Sequence, residues 1–253
     1  MNHFDKGIEC YKRRDFRNAD FYFKKALVEK GMDAETLDYL GRCRLMLGDS
    51  RGALELFDQT MKMTPASEKP YAGKARVYAN RGKYEEAEPL VRRALMINPQ
   101  SADNWSVLAY VCERSLRLKE AKSYYLRALE CDPLLEEARV HLSIVYYQLR
   151  EPYSKCLEQL DRALDINPHS TDALFNKGLI YKDMRRYGAS KAVFEKLLAL
   201  DPEDREANLE LAEIYKRDRQ YDKAKLCQSR ARGRKPYDGR EGPRSQDRGK
   251  PDR

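Results

Sequence analysis

Five prolines, Pro65, Pro99, Pro133, Pro168 and Pro202, recur at intervals of 34, 34, 35 and 34 residues. Each follows Thr, Asn or Asp at the end of an apolar stretch. A period of this length, kept along most of a chain, marks a helical solenoid. One unit cannot bury its own apolar face, so neighbours must stack to build a shared core.

Alignment on the prolines brings other residue types into register. Twelve residues before the proline stands a small side chain: Ala53, Ala87, Ala121, Cys156, Ser190. Eight before it stands a large one: Phe57, Val91, Tyr125, Leu160, Phe194. Five before it Ala94, Ala128 and Ala163 recur, with Thr60 and Leu197 as departures. That spacing puts all three on one helical face, where small residues admit a neighbouring helix and the large one fills the groove beside them. An earlier stripe repeats as Trp105, Leu108, Ala109, Cys112; as Leu37, Leu40, Gly41, Arg44; as Tyr71, Lys74, Ala75, Tyr78; and as Leu174, Lys177, Gly178, Tyr181. Offsets of 0, 3, 4 and 7 define an amphipathic first helix. Short polar turns ending in an aromatic, such as Gly82-Lys83-Tyr84 and Arg185-Arg186-Tyr187, join the two helices of a unit. The proline ends a unit and is expected to sit at the start of the next helix.

This pattern resembles the tetratricopeptide-repeat family over roughly residues 2–231, as seven helix pairs with the first and last degenerate. The resemblance implies an all-α, right-handed superhelical solenoid of antiparallel helix pairs. It implies a repeat domain over residues 1–231 and a non-catalytic scaffold or adaptor that binds a partner peptide or helix in a concave groove.

Composition bounds the alternatives. Charged residues make up 36% of the chain against 42% hydrophobic, which suits a thin solenoid with much surface per core volume. No apolar run approaches the roughly 20 residues that span a bilayer, and the Met1–Gly7 opening lacks a secretory segment, so a soluble, cytoplasmic protein is expected. The six cysteines stand singly without C-x-x-C pairing, and Cys10, Cys112 and Cys156 fall at packing positions. No disulfide, metal or other cofactor is expected. Of the histidines His3, His141 and His169, neither His141 nor His169 has an evident acid or nucleophile partner, and glycine loops for phosphate are absent. No enzyme activity and no small-molecule substrate are expected.

In the family this chain resembles, first-helix side chains that avoid the core stripe line the concave face. Here the early ones are charged (Asp38, Arg42, Lys69, Arg76), and from Tyr110 to Leu179 they turn apolar. Tyr110, Val140, Ile144, Tyr147, Phe175 and Leu179 are therefore expected to bind an amphipathic helix or extended segment. Arg76, Arg114 and Lys182 would tune register and on-rate. The alternative is that Val140, Ile144 and Phe175 simply pack between adjacent first helices, whereas a phenol keeps one end wet and favours Tyr110 and Tyr147. A chaperone-tail clamp of Lys and Asn is not met. Asn176 has Val140 and Ile144 before it and Glu206 and Glu210 after it. An asparagine ladder is missing too.

Two irregularities interrupt the register: an extra residue around Arg150–Tyr153, with Pro152 starting a second helix, and Pro89 inside another. Gln228 at a core position fits a solvated terminal cap. Residues 232–253 hold eight basic and four acidic residues, which is +4 of the net +8. They read as a disordered basic tail. That tail supports a second reading, an RNA-associated factor using phosphate contacts, though the repeats show no basic stripe with stacking residues. Association of the chain with its own copies is a further expectation.

Overall fold

The computed structural model describes residues 2–233, and among these every regular element is an α-helix. The chain divides into two compact units, Met1–Pro168 and His169–Arg253. The first holds five helix pairs: α1 (His3–Lys12) with α2 (Phe16–Lys30), α3 (Ala34–Met46) with α4 (Ser50–Met63), α5 (Lys69–Asn80) with α6 (Tyr84–Ile97), α7 (Ala102–Arg114) with α8 (Leu118–Cys131), and α9 (Glu136–Gln148) with α10 (Tyr153–Ile166). The second holds α11 (Thr171–Asp183) with α12 (Tyr187–Leu200) and α13 (Arg205–Arg217) with α14 (Tyr221–Gly233). The expected all-α architecture of antiparallel helix pairs is what the chain adopts. The last helix runs to Gly233, and residues 234–253 lie outside the described residues.

Local chemistry sets the boundaries. Side chains of Asn2, Asp15, Asp33, Asp49, Ser101, Ser170 and Asp204 accept from the first-turn amides of seven helices, satisfying donors the helix cannot. Every turn within a pair carries one residue with positive φ, at Arg14, Gly48, Gly82, Leu116, Arg150, Arg185 and Arg219. That left-handed residue closes the helix end. The turn between α9 and α10 keeps it and adds one residue, so Pro152 becomes the N-cap of α10. The added length brings Glu151 between Lys122 of α8 (2.7 Å) and Lys155 of α10 (2.8 Å).

The repeat-ending prolines do not begin the next helix. They follow the C-caps Thr64, Asn98, Asp132, Asn167 and Asp201, and the next helices start three or four residues later. Four of their carbonyls then accept from the side chain six residues on, Pro168 being followed at that position by Leu174. Tyr71 Oη donates to Pro65 (3.2 Å), Trp105 Nε1 to Pro99 (2.8 Å), Arg139 Nη2 to Pro133 (2.6 Å) and Asn208 Nδ2 to Pro202 (3.0 Å).

The core is a series of wedges and seats. Phe23, Phe57, Tyr125, Leu160 and Phe194 of the second helices are fully buried. A Cβ added at Gly7 would meet the Phe23 ring at 2.6 Å, one at Gly41 the Phe57 ring at 2.8 Å, and one at Gly178 the Phe194 ring at 2.7 Å. Phe57 also lies against Gly73 of α5. In the first unit α3 packs directly on α5, α5 on α7, and α7 on α9. Successive second helices make no comparable contact among the described residues. From α3 to α9 the first helices are thus the close-spaced side and form a continuous wall. All six cysteines are free thiols, and burial pushes Cys43 up to about 12.

Gly41→Val should lower stability by about 1–3 kcal/mol in urea unfolding, because Phe57 is held by Gly73 as well and has nowhere to retreat. The gain in helix propensity, a few tenths of a kcal/mol, is too small to offset it. An unchanged midpoint would show that the ring can move aside. Glu151 gives a pH signature. Hydrogen bonds from Lys122 and Lys155 hold its carboxyl at about 2 instead of 4.5. A lowered folded-state value means stability present above the unfolded value and lost as pH falls toward the folded one. The drop in urea midpoint between about pH 5 and about pH 2.5 should therefore be smaller in Glu151→Gln than in wild type.

Candidate functional site

The wall of the first unit receives six of the nine expected partner-binding residues. Tyr147 on α9 is exposed at 45% and its ring lies 6.4 Å from Tyr153. Tyr110 on α7 is half-buried, and burial raises its phenol pKa. Ile144 is half-buried, while Val140 is buried at 5% and belongs to the packing between helices. Arg76 on α5 is exposed and reaches Asp103 only at 3.8 Å. Arg114 donates through Nε to the Tyr84 hydroxyl at 3.1 Å, which raises its pKa. Phe175, Leu179 and Lys182 lie on α11 in the second unit. Phe175 packs on Phe194 with ring centroids 5.9 Å apart, and Leu179 is half-buried. Lys182 is bound by Glu210 and Glu213 of α13. Burial works against its ammonium, but the two carboxylates outweigh it and raise the pKa.

Between α7, α8 and α9 stands a polar cluster that sequence reading passed over. Glu113 of α7 is buried at 7%, and its Oε2 accepts from the Tyr125 hydroxyl at 2.7 Å. The same oxygen lies 3.1 Å from His141 Nδ1 of α9. His141 stacks on the Tyr125 ring at 5.7 Å and meets the Tyr110 ring edge-on at 5.5 Å. The expectation that His141 lacks an acid partner is therefore corrected: the partner comes from the preceding first helix, 28 residues earlier. Burial, and then the Glu113 charge, push the Tyr125 phenol well above its ordinary range. The hydroxyl therefore stays a donor and keeps the buried carboxylate satisfied. The basic segment beyond Gly233, proposed to contact RNA, lies outside the described residues.

Tyr125→Phe places at this wedge the residue that three other units use. It should nevertheless destabilise the chain by about 1–3 kcal/mol, because it strips a buried carboxylate of a donor. Chemical denaturation measures the loss, and Tyr125→Phe combined with Glu113→Leu should recover part of it. A neutral Tyr125→Phe would mean that Glu113 does not depend on the phenol.

Two tetratricopeptide-repeat family models match the chain, at residues 44–111 and 171–204. The type IV pilus assembly protein PilF of Pseudomonas aeruginosa is 33% identical over 149 residues, which are 57% of this chain and 58% of PilF. The human protein O-mannosyl-transferase TMTC3 is 33% identical over 112 residues, 42% of this chain and 12% of that protein. The chain thus spans less than two thirds of either relative. Among solved structures, the Cut9–Hcn1 hetero-tetramer of the APC/C superposes with a TM-score of 0.76 at 16% identity. The match covers 85% of this chain and 42% of that one, and shows a shared fold. With its 34-residue register, its wedge-and-seat helix pairs and these two matched stretches, the chain is a tetratricopeptide-repeat protein.

Proposed function

We propose that the chain is a non-catalytic scaffold whose first-helix wall captures a flexible partner segment, an amphipathic helix or an extended stretch. The observation that carries this reading is the wall itself. Four first helices pack side by side in one unit and present Tyr147 to solvent, with Tyr110 and Ile144 beside it. A preformed surface lowers the ordering cost of capturing a flexible chain, and an exposed phenol gives contact area at small entropic cost. Phe175 and Leu179 play the corresponding part within the second unit, where Lys182 is already paired with Glu210 and Glu213. The names of two similar proteins, a pilus assembly protein and an APC/C hetero-tetramer, describe members of assemblies and agree with a scaffold. The transferase name belongs to a relative matched over 12% of its length. Among the described residues no helix is long and apolar enough to cross a membrane.

Crosslinking pull-down from native lysate with wild type and Tyr147→Glu tests the reading, with circular dichroism confirming equal helix content. Tyr147 is exposed, so the substitution leaves the core intact. A protein retained by wild type and lost by the folded variant is the expected result. Identical retention by both would remove Tyr147 from the binding surface.

A further inference from the structure

Successive helix pairs are joined by side chains that recur at fixed places in the register. The seats that receive the wedges give the reference points: Gly7, Gly41 and Gly178 under phenylalanines, with Ala109, Ser143 and Ala212 at the same position in other pairs. Three kinds of joint appear. The tyrosine that opens α6 or α12 is met by the residue five after the next seat: Arg114 Nε donates to the Tyr84 hydroxyl at 3.1 Å, and the Arg217 guanidinium lies 3.4 Å from the Tyr187 ring centroid. The residue three before a wedge pairs with the one eight after the next seat, as Glu88 does with Arg117 and Lys122 with Glu151. The residue four after a seat pairs with the one two before the next seat, as Glu113 does with His141 and Lys182 with Glu210.

The last described pair holds one half of each joint, unused. Tyr221 opens α14 and is 60% exposed, with no ring contact or hydrogen bond among the described residues. Lys225 stands three before Gln228 at the wedge position, and Lys216 stands four after Ala212. Both are exposed and make no ion pair among the described residues. The first pair holds the other halves. Lys12 stands five after Gly7, Asp15 eight after it and Asp5 two before it, all exposed. The two sets match in chemistry: a cation for the Tyr221 ring, and a carboxylate for each of Lys225 and Lys216.

We propose that α13 and α14 of one copy dock head to tail on α1 and α2 of a second copy, continuing the register of the array from one molecule into the next. The contact seats Lys12 on the Tyr221 ring, pairs Asp15 with Lys225 and pairs Asp5 with Lys216. It goes beyond the capture of a partner segment and does not depend on it. A contact between two different faces is heterologous, so an open oligomer keeps a free head and a free tail and adds further copies. Three features keep the contact weak. Arg232 stands four after Gln228, where the other second helices carry Leu or Met, so less apolar surface is buried than at a joint within the chain. Lys6, one before Gly7, and Arg232 bring cations that these pairings leave without an acid. The net charge of +8 makes copies repel. Association therefore belongs to high protein concentration.

Sedimentation velocity on the full chain, from micromolar to near-millimolar protein, tests the proposal. The mass of wild type should rise with concentration. Tyr221→Lys sets a lysine against Lys12, and Lys12→Glu takes the cation from the ring. Each should weaken association by about tenfold, with unchanged circular dichroism because both side chains are exposed. Tyr221→Lys combined with Lys12→Glu faces a lysine with a glutamate and should regain association, a reversal that two independent surface changes do not give. Wild type that stays monomeric throughout, or single variants that associate as wild type does, would overturn the proposal. Association that appears only once residues 234–253 are removed would give the Tyr221 face to that segment instead of a second copy. The Tyr147→Glu pull-down reads a different surface, so failure here leaves the scaffold reading standing.

Discussion

The contact on which the structure depends is a large side chain on a second helix pressed into a seat on its first helix, repeated in every pair but the last, where Gln228 stands at the wedge position. The two sides of that contact compensate in size. Where the wedge is Phe23, Phe57 or Phe194 the seat is Gly7, Gly41 or Gly178; where it is Val91 or Leu160, the register position of the seat holds Ala75 or Ser143. A ring against a bare Cα brings two helix backbones close, and close backbones bury the alanines that flank the wedge. Losing a buried phenyl group of this kind costs about 3–5 kcal/mol, a large part of a domain's net stability. The proline spacing noticed first is a consequence of this contact. Each wedge must arrive at its seat after the same number of residues, and the proline marks where the next arrival can begin.

Tyr125 is the wedge that departs from the scheme, and its departure organises the middle of the first unit. Its ring fills the same place as the phenylalanines, while its hydroxyl reaches Glu113 and its face carries His141. A buried carboxylate held by a phenol and an imidazole is weak ground for arguing net stability, since its desolvation cost is large. Only one register of α7, α8 and α9 satisfies it, however, so any slip leaves an acid without donors in a dry environment. The cluster therefore contributes definition to a wall whose apolar contacts alone would tolerate sliding.

The fold was legible because its determinants are local and periodic. Wedge, alanine and turn residues repeat at fixed offsets, and even the extra residue near Pro152 falls where the register shifts. Two features were hidden by variety of residue type. The left-handed turn position is occupied by Arg, Gly and Leu, so no single residue announces it. The side chain that caps four of the five proline carbonyls is Tyr, Trp, Arg or Asn, alike only in carrying an N–H or O–H donor. Reading Tyr71 and Trp105 as members of an apolar stripe put them on the right face and missed the hydrogen bonds they make there.

The wall was legible as a set of positions and much less so as a set of free groups. First-helix periodicity located Arg76, Arg114, Tyr110 and Tyr147, but whether a charge is available depends on partners about 30 residues away in the chain. Lys182 lies near enough to Glu210 and Glu213 to be neutralised, and Arg114 leans on Tyr84. Arg76 stays exposed because the residue one repeat further along the wall, Tyr110, is not acidic, and its one ion pair, to Asp103 at 3.8 Å, is itself at the surface. Val140 was buried by its neighbours in the same way. In a solenoid each unit touches only the next, so the register fixes where a side chain stands, and the identity of one residue on the adjacent helix decides whether it is left for a partner.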